Sequence, residues 1–375
     1  DHFFKAVCGL DGARRIVSKA ALTKARMKLK YEAFIDLNSC LVDYFYRHFN
    51  SLKWNGLNLL AVDGTTVTLP RIEAISNHFG TWKPRQGDKC PKARVSQMFD
   101  PLNKVTVDAI IHSKHYGERE LAAFHFLNLL KNDLVLLDRG YPAYWIFNLI
   151  LSRGAHFCAR VKRKQWKIVQ RFYHSDKKEK IISLPVFTSS IKACEEMGLD
   201  LKPLKLRLIR VELDTGETEI LITSLLDRAL YPHEQFYELY HLRWPVEEDY
   251  KTMKRWIEIE NFSGKSVLSV YQDFHAKVFS KNLTAVLAFQ TQALIDEKTE
   301  TWQYRYQRNF TQTLSKVKDV IALLFMRPLD TVSKLISELH DIIIETIEPI
   351  RPGRKYPRYF KNRKGRFHYG YQPIR

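Results

Sequence analysis

The sequence predicts a mixed α/β fold, a central sheet flanked by helices. Three observations carry this reading. Near-continuous apolar runs end in aspartate at LLAVD (Leu59–Asp63) and LVLLD (Leu134–Asp138), as strands buried in a sheet do. ARVSQMFD and VTVDAIIH, joined by PLNK, read as a hairpin with its turn at Pro101–Lys104. Around them, apolar residues recur at helical spacing.

The elements follow in order. Residues 1–56 read as helical, with Ser18 placed to cap a segment rich in Ala, Leu and Lys, and Ala33–His48 continuing the period. Leu57–Leu69 is the first strand, and the hairpin comes next. Gly117–Leu130 is a helix. Asp133–Asp138 is a short buried strand that stops at RGYP. A helix starts at Pro142, a residue suited to a first turn. His156–Val161 is another strand. From 162 to 224 the text changes to long polar strands, KLRLIRVELDTGETEILITSL, turning at Asp214-Thr215-Gly216. Helices resume at Pro232, pass through Tyr237–Trp256 and continue over Val267–Ile295. Two more span Gln312–Ile347. The expected division is a helical N-terminal region (1–56), a first part of the core (57–161), a β-rich insertion (162–224), a second part of the core (225–300), C-terminal helices (301–350) and a basic aromatic tail (351–375). No internal repeat is visible.

A chain of 375 residues that is 45% hydrophobic can bury a large core, in two or three domains or in one domain with insertions. Its net charge of +19 calls for a polyanionic partner, nucleic acid before a membrane surface. No apolar run reaches the roughly 18 residues that would span a bilayer. Val278–Ile295 is interrupted by Lys281 and Asn282 and reads as a buried core helix. The five cysteines are scattered without a CxxC pair. That argues against a zinc cage and a disulfide framework, and for a reducing, cytoplasmic compartment. No signal peptide is visible, and the chain opens at Asp1, so targeting is not legible from this end. After Ile350, nine basic residues and six aromatics occur with no acid. Such a tail suits phosphate neutralisation and base stacking; a solvated tail is the plainer reading.

Asp63 and Asp138 stand where acids are unusual, at the ends of strands expected to be central. Each is closely followed by Gly (Gly64, Gly140), which lets the backbone turn beside the carboxylate. One such Asp is most simply a turn cap. Two in matching settings point to a shared site, because open α/β sheets place ligands at strand carboxyl ends. Two converging carboxylates repel, and a divalent cation relieves that. All-oxygen donors select Mg²⁺ or Mn²⁺. A third carboxylate would complete a two-metal site for phosphoryl transfer.

The stretch YELYHLRWPVEEDYKTMKRW can supply it. On one ideal helix Tyr240, Arg243, Glu247 and Lys254 fall within an arc of about 60°. Glu248 points away, and Asp249 borders the far edge of the buried stripe. Pro245 is expected to kink this helix. The alternative is an amphipathic helix with salt-bridged pairs such as Glu247 with Lys251.

Tyr240, Arg243, Glu247 and Lys254, separated by two, three and six residues, match the Y-R-E-K signature of the insertion-sequence-four family of bacterial DDE transposases. DGTT at Asp63 and LLDRGY at Asp138 resemble that family's two catalytic Asp blocks. The spacings are 75 residues from Asp63 to Asp138 and 109 from Asp138 to Glu247, the longer one holding the β-rich insertion. The resemblance extends from about Ser18 to Arg358. It implies an RNase H-like core that binds two Mg²⁺ ions (Mn²⁺ may substitute) and catalyses cut-and-paste DNA transposition. It makes Asp63, Asp138 and Glu247 the catalytic, metal-binding triad, and makes Tyr240, Arg243 and Lys254 the residues that grip transposon-end phosphates. It also implies a nick, a DNA hairpin and strand transfer, carried out by a homodimer on terminal inverted repeats and target DNA, with no membrane involved. Trp166 is a candidate for stacking on a flipped base, with a packed residue as the alternative. Relatives carry an N-terminal region for end recognition, which residues 1–56 are expected to represent in truncated form.

Two other readings remain from the sequence: a DNA-binding derivative that no longer cuts, and a structure-selective RNase H-like nuclease without strand transfer. Other polar residues weigh less. His112 and His115 read as surface or DNA-proximal, since no zinc-finger spacing completes a site. His78 reads as part of a turn after Asn77. Asp100 fits hairpin-turn chemistry. Asp108 alternates along its strand, facing solvent or a cation.

Overall fold

The computed structural model describes residues 18–83, 89–213 and 215–351. The basic tail, Cys8 and Asp214 lie outside them. The chain divides into two compact units, one running from Val42 to Val267 and the other made of 1–41 with 268–375.

The larger unit is mixed α/β. Its strands are β1 (Asn58–Thr68), β2 (Thr81–Trp82), β3 (Cys90–Asp100), β4 (Val105–His112), β5 (Asp133–Leu137), β6 (His156–Val161), β7 (Glu179–Leu184), β8 (Leu204–Glu212) and β9 (Thr218–Thr223). They form one nine-stranded sheet in the order β2-β3-β1-β5-β6-β9-β8-β7, with β4 also pairing β3. β1, β5 and β6 run parallel, and every other pairing is antiparallel. The parallel strands are those reached through helical crossovers, which parallel pairing requires.

Helices α1 (Lys19–Met27), α2 (Glu32–His48) and α3 (Glu73–Phe79) come first, then α4 (Glu118–Phe126) and α5 (Tyr144–Ser152). The Ser18 hydroxyl accepts from the Ala21 N–H at 3.1 Å and caps α1 as expected. Leu60, Val62, Val135 and Leu137 pack against Ala122 and Phe126 of α4 and Phe147 and Ile150 of α5. Phe147 lies flat on Phe157 at 4.1 Å between ring centres. Burying one such ring contributes about 2–3 kcal/mol. Strand alternation puts Leu59, Ala61 and Asp63 on the opposite face.

The hairpin falls where expected. Asp100 closes it, accepting from the N–H groups of Leu102 and Asn103 at 3.0 and 2.9 Å and from the Tyr46 hydroxyl at 2.7 Å. Asp108 is partly exposed, its side chain 30% open to solvent. It meets His125 Nδ1 at 2.6 Å, and His125 Nε2 lies 3.0 Å from the Ser96 hydroxyl, a buried tie of α4 to β3 and β4. The helix after RGYP begins at Tyr144 with Ala143 as its cap, two residues later than Pro142 suggests. Residues 162–224 hold two helices besides their strands, α6 (Lys167–Tyr173) and α7 (Thr188–Glu196). β8 and β9 are largely buried and not the polar strands their charges suggest. His78 sits in the last turn of α3, which the sequence reading missed.

The long helix expected through Tyr237–Trp256 is two helices, α8 (Gln235–His241) and α9 (Pro245–Arg255). Pro245 does not kink a continuous helix. It occupies the first turn of a new one, where its missing N–H costs nothing.

The second unit, taken by itself, is helical. Beyond α1 and the start of α2 it has α10 (Val267–Leu287), α11 (Thr291–Lys298), α12 (Phe310–Met326) and α13 (Leu329–Glu345). A ribbon of β10 (Arg305–Arg308) and β11 (Ile347–Ile350) completes it. The expected helix Val267–Ile295 breaks at residues 288–290. Gln272 and Asp273 of α10 accept from Arg26 of α1 at 2.9 and 2.8 Å, and Asn282 donates to Asn38 of α2 at 2.6 Å. Ala288, Val317, Leu339 and Ile343 form a small core of their own.

Candidate active site

β1 is longer than its parallel partner. Asn58 pairs with Asp133 and Val62 with Leu137, and there β5 ends. One register step further come Asp63 and Asp138. The 75 residues between these acids equal the offset of the β1–β5 register, so the two lie level on adjacent strands, which sit about 4.8 Å apart. Both are half-buried. Burial pushes the Asp63 carboxyl up to about 6. The Gly64 N–H and Arg243 counter that, while Glu247 and Asp138 add to it by like-charge repulsion.

Past Val62, β1 has no β5 backbone to bond, and α9 takes over that edge. The Tyr250 hydroxyl donates to the Asp63 carbonyl at 2.8 Å. The Lys254 ammonium donates to Thr65 Oγ1 at 2.8 Å and to the Thr66 carbonyl at 3.0 Å. Although the Lys254 side chain is exposed along its length, desolvation of its enclosed ammonium pulls the pKa down, and Lys92 adds to that. Val246 and Met253 of the same helix are fully buried.

The break between α8 and α9 seats Tyr240 and Arg243 deep in the fold, both 6% exposed. Arg243 donates through Nη2 to Glu247 Oε1 at 2.7 Å. Its Nε and Nη1 groups are buried with no acceptor. Leaving such donors unmade costs about 1–3 kcal/mol each, a cost that an anionic ligand would remove. The Tyr240 hydroxyl reaches the Leu137 carbonyl at 3.5 Å, and the Arg243 guanidinium lies 6.0 Å from the Tyr240 ring centre. The pairing imagined for Glu247 with Lys251 does not form. Lys251 bonds Glu248 at the surface instead.

Among the described residues no three His, Cys, Asp or Glu side chains make a ready-made metal cage. Glu247 and Asp138 nevertheless both act on the Asp63 carboxylate by like-charge repulsion. They offer hard, anionic oxygens with an excess of negative charge, and that donor set fits Mg²⁺ or Mn²⁺.

Several neighbours escaped the sequence reading. Gln97 on β3 is paired across from Asp63, and its amide donates to Asp249 of α9 at 2.6 Å. Glu118 starts α4 beside Gly64, where an added Cβ would meet its Cγ at 3.3 Å. Tyr141, in the LLDRGY block, is buried with its hydroxyl unpartnered. Burial raises its pKa, with Asp63, Glu118 and Asp138 adding to the effect. A polar residue on the site face of a central strand was the legible signal for Gln97. For Glu118 and Tyr141 there was none. A cavity of about 190 Å³ lies at the exit of β6, lined by Arg139, Arg160, Lys162, Arg163, Tyr173 and Glu219. Of these, Arg160 pairs with Glu219 at 2.8 Å. His112 stands against the Tyr116 ring. Trp166 is partly buried, stacks on Phe187 at 5.5 Å and meets Phe147 edge-on at 6.1 Å, packed against the hydrophobic core.

A mixed sheet thus carries one aspartate in β1 and another just past the end of the adjacent parallel strand β5, with the helix bearing Glu247 laid along β1. The family described as "Transposase DDE domain" matches residues 54–283. Over 365 residues the chain is 21% identical to the transposase InsG for insertion sequence element IS4 of Escherichia coli (strain K12), covering 96% of this chain and 80% of that one. The cryo-EM structure of the piggyBac transposase synaptic complex with hairpin DNA is similar at a TM-score of 0.42 and 11% identity, over 80% of this chain and 59% of that one. The chain belongs to the transposase DDE domain family and is of the insertion-sequence-four type. Among the described residues no helix is long and apolar enough to cross a membrane.

Proposed function

We propose that this protein cuts DNA at the ends of an insertion sequence and joins them to target DNA. Asp63, Asp138 and Glu247 would hold two divalent ions. When bound, these ions would supply positive charge against the attacking and leaving oxygens of an in-line displacement at phosphorus. The observation that carries this reading is the level placement of Asp63 and Asp138, one step past the last β1–β5 pair.

The protein's own residues do the rest. Arg243 bonds Glu247 through Nη2 and keeps two further donors without an acceptor, which suit a backbone phosphate. Tyr240 backs the guanidinium. Lys254, held against Thr65 and Thr66, lies along the β1 edge as a second cation for the strand. The basic cavity at Arg139, Arg160, Lys162 and Arg163 extends positive charge away from the site and suits the DNA backbone.

The order β4-β3-β1-β5-β6, antiparallel then parallel, supports an RNase H-like core spanning 57–161 and 225–300. The run β9-β8-β7 at the β6 edge supports a β-rich insertion over 162–224. Function as a homodimer on paired DNA ends and passage through a DNA hairpin complete the proposal. Trp166, packed against Phe187 and Phe147, is not needed in it.

The test is cleavage of a DNA carrying the element's flanking inverted repeats, with and without Mg²⁺. Parent protein nicks and joins only with the ion. Glu247→Gln binds the same DNA but does not cut. Equal cutting by parent and Glu247→Gln removes Glu247 from the site.

A further inference from the structure

Glu247 has its two neighbouring acids in very different situations. Glu248 bonds Lys251 at the surface, its side chain 67% exposed. Asp249 is 9% exposed and accepts from Gln97 Nε2 at 2.6 Å, and Gln97 is fully buried. The amide must present its nitrogen there, because an oxygen would repel the carboxylate. Gln97 Oε1 is then left buried without a donor.

The place of this pair gives it meaning. Gln97 is the direct cross-strand partner of Asp63, and directly paired residues share a sheet face. Their neighbours Val62 and Met98, also directly paired, point to the other face, into the α4 and α5 core. Gln97 therefore stands beside Asp63 on the side where α9 lies. Three contacts hold α9 there in sequence: Asp249 to Gln97, Tyr250 to the Asp63 carbonyl, and Lys254 to Thr65 and Thr66. Of the three, the Asp249 contact is the one buried on both sides.

We propose that Gln97 and Asp249 are a positioning pair, which fixes the helix carrying Glu247 at one height against the strand carrying Asp63. This rests on the carboxylate triad proposed above. The pair touches no ion or DNA. It acts by setting where the Glu247 carboxylate stands when an ion binds.

The experiment is a thermal-shift titration of the full chain with MnCl₂, with circular dichroism as the check on folding. The parent midpoint rises with Mn²⁺. Gln97→Leu with Asp249→Leu removes both partners of this hydrogen bond together. Its half-saturating Mn²⁺ concentration is expected to rise about tenfold, the usual scale for outer partners of metal ligands. Gln97→Glu with Asp249→Asn reverses the polarity of the same hydrogen bond and should return to within about twofold of the parent. A parental Mn²⁺ response in the Leu pair overturns the proposal. So does a polarity-reversed pair as weak as the Leu pair, since the Asp249 charge itself would then be what the ion senses. If the Leu pair fails to fold, the polarity-reversed pair alone decides. A parent protein whose midpoint ignores Mn²⁺ sinks the triad reading itself, and this one with it.

Discussion

The start and the middle of β1 meet acids under opposite regimes. At its start lie Asp133 and, across on β3, Asp100. Asp133 accepts from Asn58 Nδ2 at 3.0 Å and from the Leu130 N–H at 2.8 Å. Asp100 accepts from Tyr46, Leu102 and twice from Asn103. At the middle, about 17 Å along the strand, the half-buried Asp63 has Gly64 and Arg243 against burial and the charges of Glu247 and Asp138. Burial raises all three acids. At the start protein donors answer it. At the middle, more negative charge is added. An acid saturated by donors builds structure, whereas one crowded by its own kind is arranged for a cation that the chain does not contain.

The contrast can be broken most directly by substituting Asp63. Asp63→Asn should lower DNA cleavage about a thousandfold or more, measured as single-turnover nicking in Mg²⁺. Comparable activity in the variant would erase the distinction between the two places. The same change should leave the metal-free fold intact, whereas Asp100→Ala should cost about 2–4 kcal/mol in urea unfolding, because several donors lose their acceptor together.

A finer test uses pH. The Asp63 carboxyl ionises near 3.9 when unfolded and at about 6 when folded, so the native state holds the extra proton between these values. Its contribution to stability is whole below about pH 4 and is lost as pH rises through about 6. Asp63→Asn should therefore raise the metal-free thermal midpoint above pH 6 and change it little at pH 4. Protons and ions also compete for this carboxylate. Apparent Mn²⁺ affinity should fall by up to about tenfold per pH unit below 6, and a flat profile would exclude Asp63 as a ligand. The smallest expected effect belongs to Lys254. Lys254→Met should weaken DNA binding a few-fold and reduce its salt slope by about one, read from binding isotherms at several salt concentrations.

Much of this site could be read before any coordinates existed. LLAVD and LVLLD announced buried strands ending in acids, and alternation with length was enough to call them central. The 75-residue spacing was visible too, although its identity with the strand register was not. Around the Y-R-E-K residues the reading missed the form of the chain. An ideal helix put Tyr240, Arg243, Glu247 and Lys254 on one arc, but Pro245 starts a new helix there. The His125 partner of Asp108 was not legible, because it sits on a helix that sequence periodicity could not orient.

Local chemistry thus determined the strands, the turn at Asp100, the cap at Ser18 and the choice of acids, since each depends on near neighbours in the chain. Tertiary packing alone decided that Asp249 is held by Gln97, that Arg243 keeps two donors unspent and that Trp166 packs against the core. Those outcomes depend on which distant side chain closes over a buried polar group. That is a matter of enclosure and distance, and a one-dimensional pattern does not encode it.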